Sequence, residues 1–241
     1  MNWGLFYIML LFFVLGGIGI YFAMRKKNPT ERKQNWLKYF TYILIFILLY
    51  GCICFAEKTF SWVCVIIASV GLHELMCLQK KTPQKKIVFY PTLFAYVSVS
   101  VVFYFFSGLP QSLLLYTLFT VCTFDAFCQI SGQLLGKTKI SPRISPNKTL
   151  EGFIGGLCMA VCTFLVIGKI LGFPIFFTIL FGFITCLFSF AGDLSASWVK
   201  RRYKVKDFSS ILPGQGGFLD RFDSFITAGA FVYLLYYFTI L

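Results

Sequence analysis

The 241 residues are 58% hydrophobic and 20% aromatic with only 13% charged, which excludes an ordinary soluble globular domain and describes an integral membrane protein. Twenty-two Lys and Arg against nine Asp and Glu leave a net charge of +13, a balance that in a soluble chain would point to nucleic acid. Here the bases sit in short loops beside apolar runs, so insertion bias and anionic lipid headgroups account for them and no nucleic-acid partner is expected.

Eight runs of roughly 20 apolar residues, each about long enough to cross a bilayer core, are predicted over 3–24, 37–56, 60–79, 87–107, 111–131, 153–172, 174–197 and 219–240. The expected fold is all-α and polytopic, a single membrane domain over 1–241. Within it, residues 1–110 hold spans one to four. Residues 111–241 form a catalytic half, spans five to eight, with two long loops at 132–152 and 198–218. The first run lacks a small-residue cleavage site behind a short apolar core and is expected to be a retained helix.

Charge placement supports the same topology. Twenty of the 22 Lys and Arg fall in the loops after spans one, three, five and seven, leaving only Lys58 and Lys169 on the other side. The positive-inside rule then puts those loops in the cytoplasm and both termini outside it.

All nine cysteines lie inside apolar spans and none forms a CxxC pair, so they read as small packing residues. Span three carries His73 beside Glu74, in GLHELMCL. Ionisable residues at membrane depth point to a site, but this pair lies near the cytoplasmic end, where helix packing is an equal explanation.

Span five contains Asp125, an acid that is costly to bury without a cation, a polar partner or water. An interhelical hydrogen bond is the plainer role for it. The following loop, GKTKISPRISPNKTLEG, gathers Lys137, Lys139, Arg143 and Lys148 with Ser145 and Thr149. By composition alone it is a solvated basic connector. The topology places it on the same side as the loop after span seven, so the two can meet one ligand. Gly152, Gly155 and Gly156 at the start of span six read as close helix packing.

The stretch from Asp193 to Asp223 holds four of the nine carboxylates, Asp193, Asp207, Asp220 and Asp223. Helical spacing puts Asp220 and Asp223 on one face of the last helix, a placement that suits a hard cation. Before them, Pro213, Gly214, Gln215, Gly216 and Gly217 form a turn with little side-chain bulk, whose amides can approach a phosphate at a helix start. Lys200, Arg201, Arg202, Lys204 and Lys206 surround it with positive charge.

The run Ser197-Trp198-Val199-Lys200-Arg201, then Lys206-Asp207, then Pro213-Gly214-Gln215-Gly216-Gly217, then Asp220-Arg221-Phe222-Asp223 resembles the signature of the phosphatidate cytidylyltransferases, the CDP-diacylglycerol synthases. Ser145-Pro146-Asn147-Lys148-Thr149 resembles a second block of that family, and together the motifs cover about residues 120–225. One position departs: Gln215 stands where the family has His, and Gln cannot carry a proton or a charge at neutral pH.

The resemblance implies a cytoplasm-facing site in the inner membrane of a bacterium, frequently in a homodimer. It also implies CTP and phosphatidic acid as substrates and a Mg²⁺-dependent centre, with a second cation such as K⁺. By the same resemblance Asp193, Asp220 and Asp223 are metal ligands, and Lys200 and Arg201 join them as catalytic candidates. Asp125, Ser145, Lys148, Thr149, Lys206, Asp207, Gln215, Gly216, Gly217 and Arg221 are substrate-binding candidates. For Asp193 an ion pair with Lys200 or Arg201 is the plainer alternative. For Lys200 and Arg201 it is compensation of the helix C-terminus.

The inventory of reactive groups points the same way. A lipid phosphate monoester, with a second pKa of about 6, is already an anionic nucleophile and needs no general base. It can attack the α-phosphorus of a nucleoside triphosphate and expel pyrophosphate if cations offset the charge. Hydrolysis of an ester or amide needs an activated nucleophile that the chain does not show. Transfer of CMP to another membrane alcohol phosphate, of the polyprenyl or archaeol type, is the alternative that Gln215 invites. A transporter or lipid-binding protein would instead scatter its acids among several span centres.

Overall fold

The computed structural model describes residues 3–25, 28–55, 58–82, 86–209 and 216–240. Gln215, with Pro213 and Gly214, lies outside them. Eight helices run through the described chain: α1 Trp3–Met24, α2 Pro29–Phe55, α3 Thr59–Lys81, α4 Lys86–Phe106, α5 Gln111–Leu135, α6 Leu150–Ile170, α7 Ile175–Arg202 and α8 Leu219–Ile240. The first seven are long and apolar enough to cross a membrane. The first turn of α8 carries Asp220 and Arg221, with Asp223 just beyond it, and the apolar remainder packs on α4 and α7. The protein is all-α and polytopic, as composition requires.

The predicted spans recover each helix but stop short where helices leave the apolar layer. α2 begins at Pro29, eight residues before its predicted span, because proline suits a first helical position and Glu31 complements the positive helix end. α5 continues to Leu135 and α7 to Arg202. These polar extensions build the site.

Between α5 and α6 the expected basic connector is a small antiparallel hairpin, β1 Lys139–Ser141 and β2 Ser145–Thr149, in register Lys139 to Thr149 and Ser141 to Ser145. The Glu151 carboxylate closes it, accepting from the amides of Lys137 and Thr138 at 2.9 and 3.1 Å. Proline and lysine hide the strand pattern in the sequence.

α5 is the central helix, buried along one continuous run from Leu113 to Val121. It packs closely on α6, where Gly152 and Gly156 lie against the backbone of Cys128 and Phe124. A methyl at Gly152 would come within 2.8 Å of the Cys128 carbonyl, so the small-residue reading of this segment holds. The main core gathers Phe60, Phe103, Phe106, Tyr116, Phe164, Phe181 and Phe225 from α3 to α8.

Candidate active site

The extended ends of α2, α5, α7 and α8 and the hairpin enclose a cavity of about 820 Å³, in the range of small-molecule sites. Six basic side chains line it (Lys38, Lys139, Lys148, Lys200, Lys206, Arg221), and six acidic ones (Glu31, Asp125, Asp193, Asp207, Asp220, Asp223). In a chain with 31 charged residues in all, this gathers more than a third of them on one surface. Bilayer-bound charge is costly unless paired or solvated, so such a concentration marks this cavity as the candidate site.

Gly192 lets α7 and α8 touch beside Asp193 and Asp223; a methyl there would lie 2.7 Å from the Asp223 carbonyl oxygen. Asp193 is 43% exposed and pairs with Lys148 at 3.0 Å, and Ser197 Oγ donates to it at 3.4 Å. Its partner is thus the hairpin lysine rather than Lys200 or Arg201. Lys148 also lies 4.5 Å from the centre of the Phe190 ring, a cation–π contact that orients the ammonium toward α7.

Asp220 is more tightly held. Its Oδ1 accepts from Lys200 Nζ at 2.5 Å, and both side chains are nearly buried. Its Oδ2 accepts from the amides of Phe208 and Gly217 at 3.0 and 2.8 Å. One carboxylate therefore joins the end of α7, the chain after it and the start of α8. The approach is steered by a complete C-terminal turn on α7, in which Lys204 takes φ of 59°. There the Val205 amide returns to the Lys200 carbonyl at 3.0 Å and the Lys204 amide to the Arg201 carbonyl at 3.1 Å.

Sequence reasoning left the role of Glu74 open, and the structure gives it one. The side chain is 1% exposed. Its Oε1 accepts from Ser209 Oγ at 2.5 Å and from the Phe218 amide at 2.8 Å, and its Oε2 from the Leu219 amide at 2.8 Å. From α3 it thus ties the two flanks of residues 210–215 together and neutralises the free amides at the start of α8. His73 faces away, exposed, beside Cys77. Neighbouring helical positions differ by about 100°, so one of the pair had to point elsewhere. The paired glycines follow from the same crowding. Gly216 has φ of 91°, and a methyl on Gly217 would lie 2.9 Å from both Asp220 Oδ2 and Glu74 Oε2.

Asp223 lies within electrostatic range of Asp193, Asp220 and Lys200. Among the described residues the ion pairs are Lys148–Asp193 and Lys200–Asp220, and neither includes it. No three His, Cys, Asp or Glu side chains among the described residues already converge as metal ligands. The donor set of Asp193, Asp220 and Asp223 is oxygen only, the chemistry of a hard cation. Asp223 is held by neither lysine, whereas Asp193 would have to release Lys148 and Asp220 would have to release Lys200.

The remaining expected residues divide. Lys206 and Asp207 line the cavity, as do Ser145 and Thr149, and Gly216 lies against the Asp207 side chain. The Thr149 hydroxyl is already engaged, accepting from the Gly152 amide at 3.1 Å as the N-cap of α6. Asp125 lines the cavity and accepts from Ser189 Oγ of α7 at 2.8 Å, so the interhelical bond and the cavity position hold together. Arg221 donates to the Tyr42 hydroxyl at 2.6 Å.

Arg201 lies outside the cavity, in a shallow basic groove with Arg143 and Trp198. Its guanidinium donates to the carbonyls of Ile144 and Val205 at 3.0 and 2.9 Å, locking the hairpin to the end of α7. Adjacent Lys200 points inward, and helix geometry turns Arg201 out. Four residues of α2 that sequence reasoning passed over line the cavity: Glu31, Asn35, Lys38 and Tyr42. Their spacing of four, three and four residues is the signal that was available.

Fold and site together define a polytopic membrane protein that gathers lysines, an arginine and clustered carboxylates around a cavity at the end of its helices. The profile of the Cytidylyltransferase family matches residues 1–239, and the chain belongs to that family. It is 30% identical over 233 residues to the phosphatidate cytidylyltransferase of Helicobacter pylori, covering 96% of this chain and 84% of that protein. Over 122 residues it is 42% identical to the phosphatidate cytidylyltransferase of Bacillus subtilis, half of this chain and 45% of that one. With the Staphylococcus haemolyticus enzyme of the same name it shares 43% identity over 136 residues, 52% of that protein's length. The chain thus spans about half the length of these last two relatives.

Proposed function

We propose that this protein transfers CMP from CTP to phosphatidic acid, giving CDP-diacylglycerol and pyrophosphate. The observation that carries the reading is the cavity itself, where Lys148, Lys200, Lys206 and Arg221 surround Asp193, Asp220 and Asp223. Relatives named for this reaction, one aligned along nearly the whole chain, support it.

A phosphate oxygen of the lipid attacks the α-phosphorus of CTP. The bond between that phosphorus and the oxygen bridging to the β-phosphate breaks, and its electron pair leaves with pyrophosphate. No proton need be removed from a dianionic nucleophile, which agrees with a cavity that holds no histidine. Lys148 and Lys206 offset charge on the triphosphate, and Lys200 keeps the first turn of α8 in place while presenting its ammonium to the same space. Bound Mg²⁺, held by Asp193 and Asp223 with Asp220 as a third carboxylate, would supply the electrostatic stabilisation that the protein's own balanced charges do not. A second cation such as K⁺ would occupy the same carboxylate group.

The same reading places the cavity on the cytoplasmic side of a bacterial cell membrane, where most of the loop lysines and arginines lie, and treats the protein as a homodimer. Incubation with labelled CTP, Mg²⁺ and phosphatidic acid in detergent micelles tests the activity. Labelled CDP-diacylglycerol from the wild type, and its loss in Asp223→Asn, is the expected result. A wild type inactive on phosphatidic acid but active on a polyprenyl phosphate would move the reading to that lipid.

A further inference from the structure

The shallow groove that holds Arg201 lies on the outside of the hairpin, and it shares no lining residue with the charged cavity. It encloses about 550 Å³ between the hairpin tip, Ser141 to Ile144, and Trp198, Arg201 and Arg202 at the end of α7. Three of the chain's six arginines line it, with none of its 16 lysines and none of its nine carboxylates. Insertion bias alone draws on lysine as readily as on arginine. A planar fork of several donors is instead the geometry that meets a phosphate.

Local structure fixes where these arginines stand. The hairpin tip is a turn closed by the Ile144 amide on the Ser141 carbonyl at 3.2 Å, with Pro142 and Arg143 at its two central positions. Arg201 pins that turn to α7 through the Ile144 carbonyl at 3.0 Å, so Arg143 and Arg202 line one groove although they are far apart in sequence. The Arg202 guanidinium lies 5.1 Å from the centre of the Trp198 ring, one helical turn back, a contact that orients it. Among the described residues neither Arg143 nor Arg202 pairs with a carboxylate. The groove also sits at the level of a membrane surface. Leu187, Ala191, Leu194, Trp198 and Arg202 follow one another along the outer side of α7 at helical spacing. They pass from aliphatic through indole to guanidinium, the order found where a helix leaves the acyl chains for the headgroups.

We propose that this groove binds the phosphate of an anionic phospholipid of the surrounding leaflet, held between Arg143 and Arg202 with its acyl chains along the side of α7 from Leu187 to Trp198. The site is separate from the cavity in which CMP transfer is proposed, and it does not depend on that reading.

Charge complementarity selects the occupant. A second copy of the chain would have to bring carboxylates to three arginines. Six of the nine line the charged cavity, Glu74 is buried on the amides of Phe218 and Leu219, and Glu151 is bound to those of Lys137 and Thr138. Glu57 lies outside the described residues. No carboxylate among the described residues is left for the groove, whereas an anionic leaflet presents phosphate at this depth. A soluble phosphate would gain nothing from the apolar side of α7. Bound here, the lipid clamps the hairpin tip to α7 beside the bonds of Arg201, on the strand pair that brings Lys148 to Asp193.

Thermal unfolding of the full chain in detergent micelles tests the site. Dioleoyl phosphatidylglycerol should raise the unfolding temperature, and dioleoyl phosphatidylcholine and free glycerol 3-phosphate should not. In the double variant Arg143→Gln, Arg202→Gln the lipid concentration giving half the shift should rise about tenfold or more. Lys80→Gln, Lys81→Gln removes the same charge from the exposed end of α3 and should leave that concentration within about twofold. Equal weakening by the two double variants would reduce the effect to diffuse surface charge and overturn the site. An equal shift with glycerol 3-phosphate would overturn the lipid as its ligand. Hydrogen exchange reads the clamp directly. Phosphatidylglycerol should slow exchange at the Ile144 amide severalfold without slowing it at Phe218, and unchanged exchange at Ile144 would remove the clamp.

Discussion

The two ends of the charged cavity hold the same kind of ion pair in opposite settings. At the α7–α8 end, Lys200 and Asp220 have side chains only 10% and 4% exposed, and Asp220 also accepts two backbone amides. At the hairpin end, Lys148 is 14% exposed and Asp193 43%, and the carboxylate meets a lysine and a distant hydroxyl. A buried pair cannot lose one partner without stranding the other, whereas a half-open pair can exchange a lysine for water or a ligand. The first end is therefore framework that happens to face the site, and the second is the part able to respond to a substrate.

Substitutions can break this contrast. Asp220→Ala should have the largest effect on stability, about 3–5 kcal/mol, because Lys200 and the amides of Phe208 and Gly217 all lose their acceptor. Thermal unfolding in detergent measures it. The double variant Lys200→Met, Asp220→Leu should recover much of the loss in stability without recovering turnover. A double variant no more stable than Asp220→Ala would show that the pair is not what holds this end.

Glu74→Ala should follow, at about 1–3 kcal/mol, since two amides and a hydroxyl are left without their acceptor. Hydrogen exchange at Phe218 and Leu219 should accelerate selectively, and uniform acceleration would instead assign Glu74 to the general core.

Asp193→Asn should change stability by no more than about 1 kcal/mol and yet abolish most CMP transfer, the reverse of the buried end. A large fall in its unfolding temperature would erase the distinction drawn here. Arg201→Ala closes the series. Its guanidinium meets only backbone carbonyls outside the cavity, so activity should stay within about twofold of the wild type, and a complete loss would return Arg201 to the site.

How much of this was legible beforehand varies by element. The helices were readable because each must satisfy its own backbone in the bilayer and therefore announces itself as a long apolar run. The carboxylates of α7 and α8 stood out as acids in a chain nearly free of them. The hairpin was not visible, since its strands are three and five residues long and polar. Arg201 could not be told from Lys200 by composition, because the direction each side chain takes depends on helix phase at the α7 terminus. Glu74 was noticed without a partner, as its three donors lie 135 to 145 positions away.

By itself, then, the sequence determined the membrane class and the number and approximate limits of the helices, since hydropathy is a property of short segments. Only the tertiary structure decided which lysine meets which aspartate, that Glu74 anchors the start of α8, and that α2 brings Lys38 and Tyr42 to the charged cavity. Those are pairings between helices, and they depend on crossing points such as Gly192 and on side-chain direction, which no local pattern encodes.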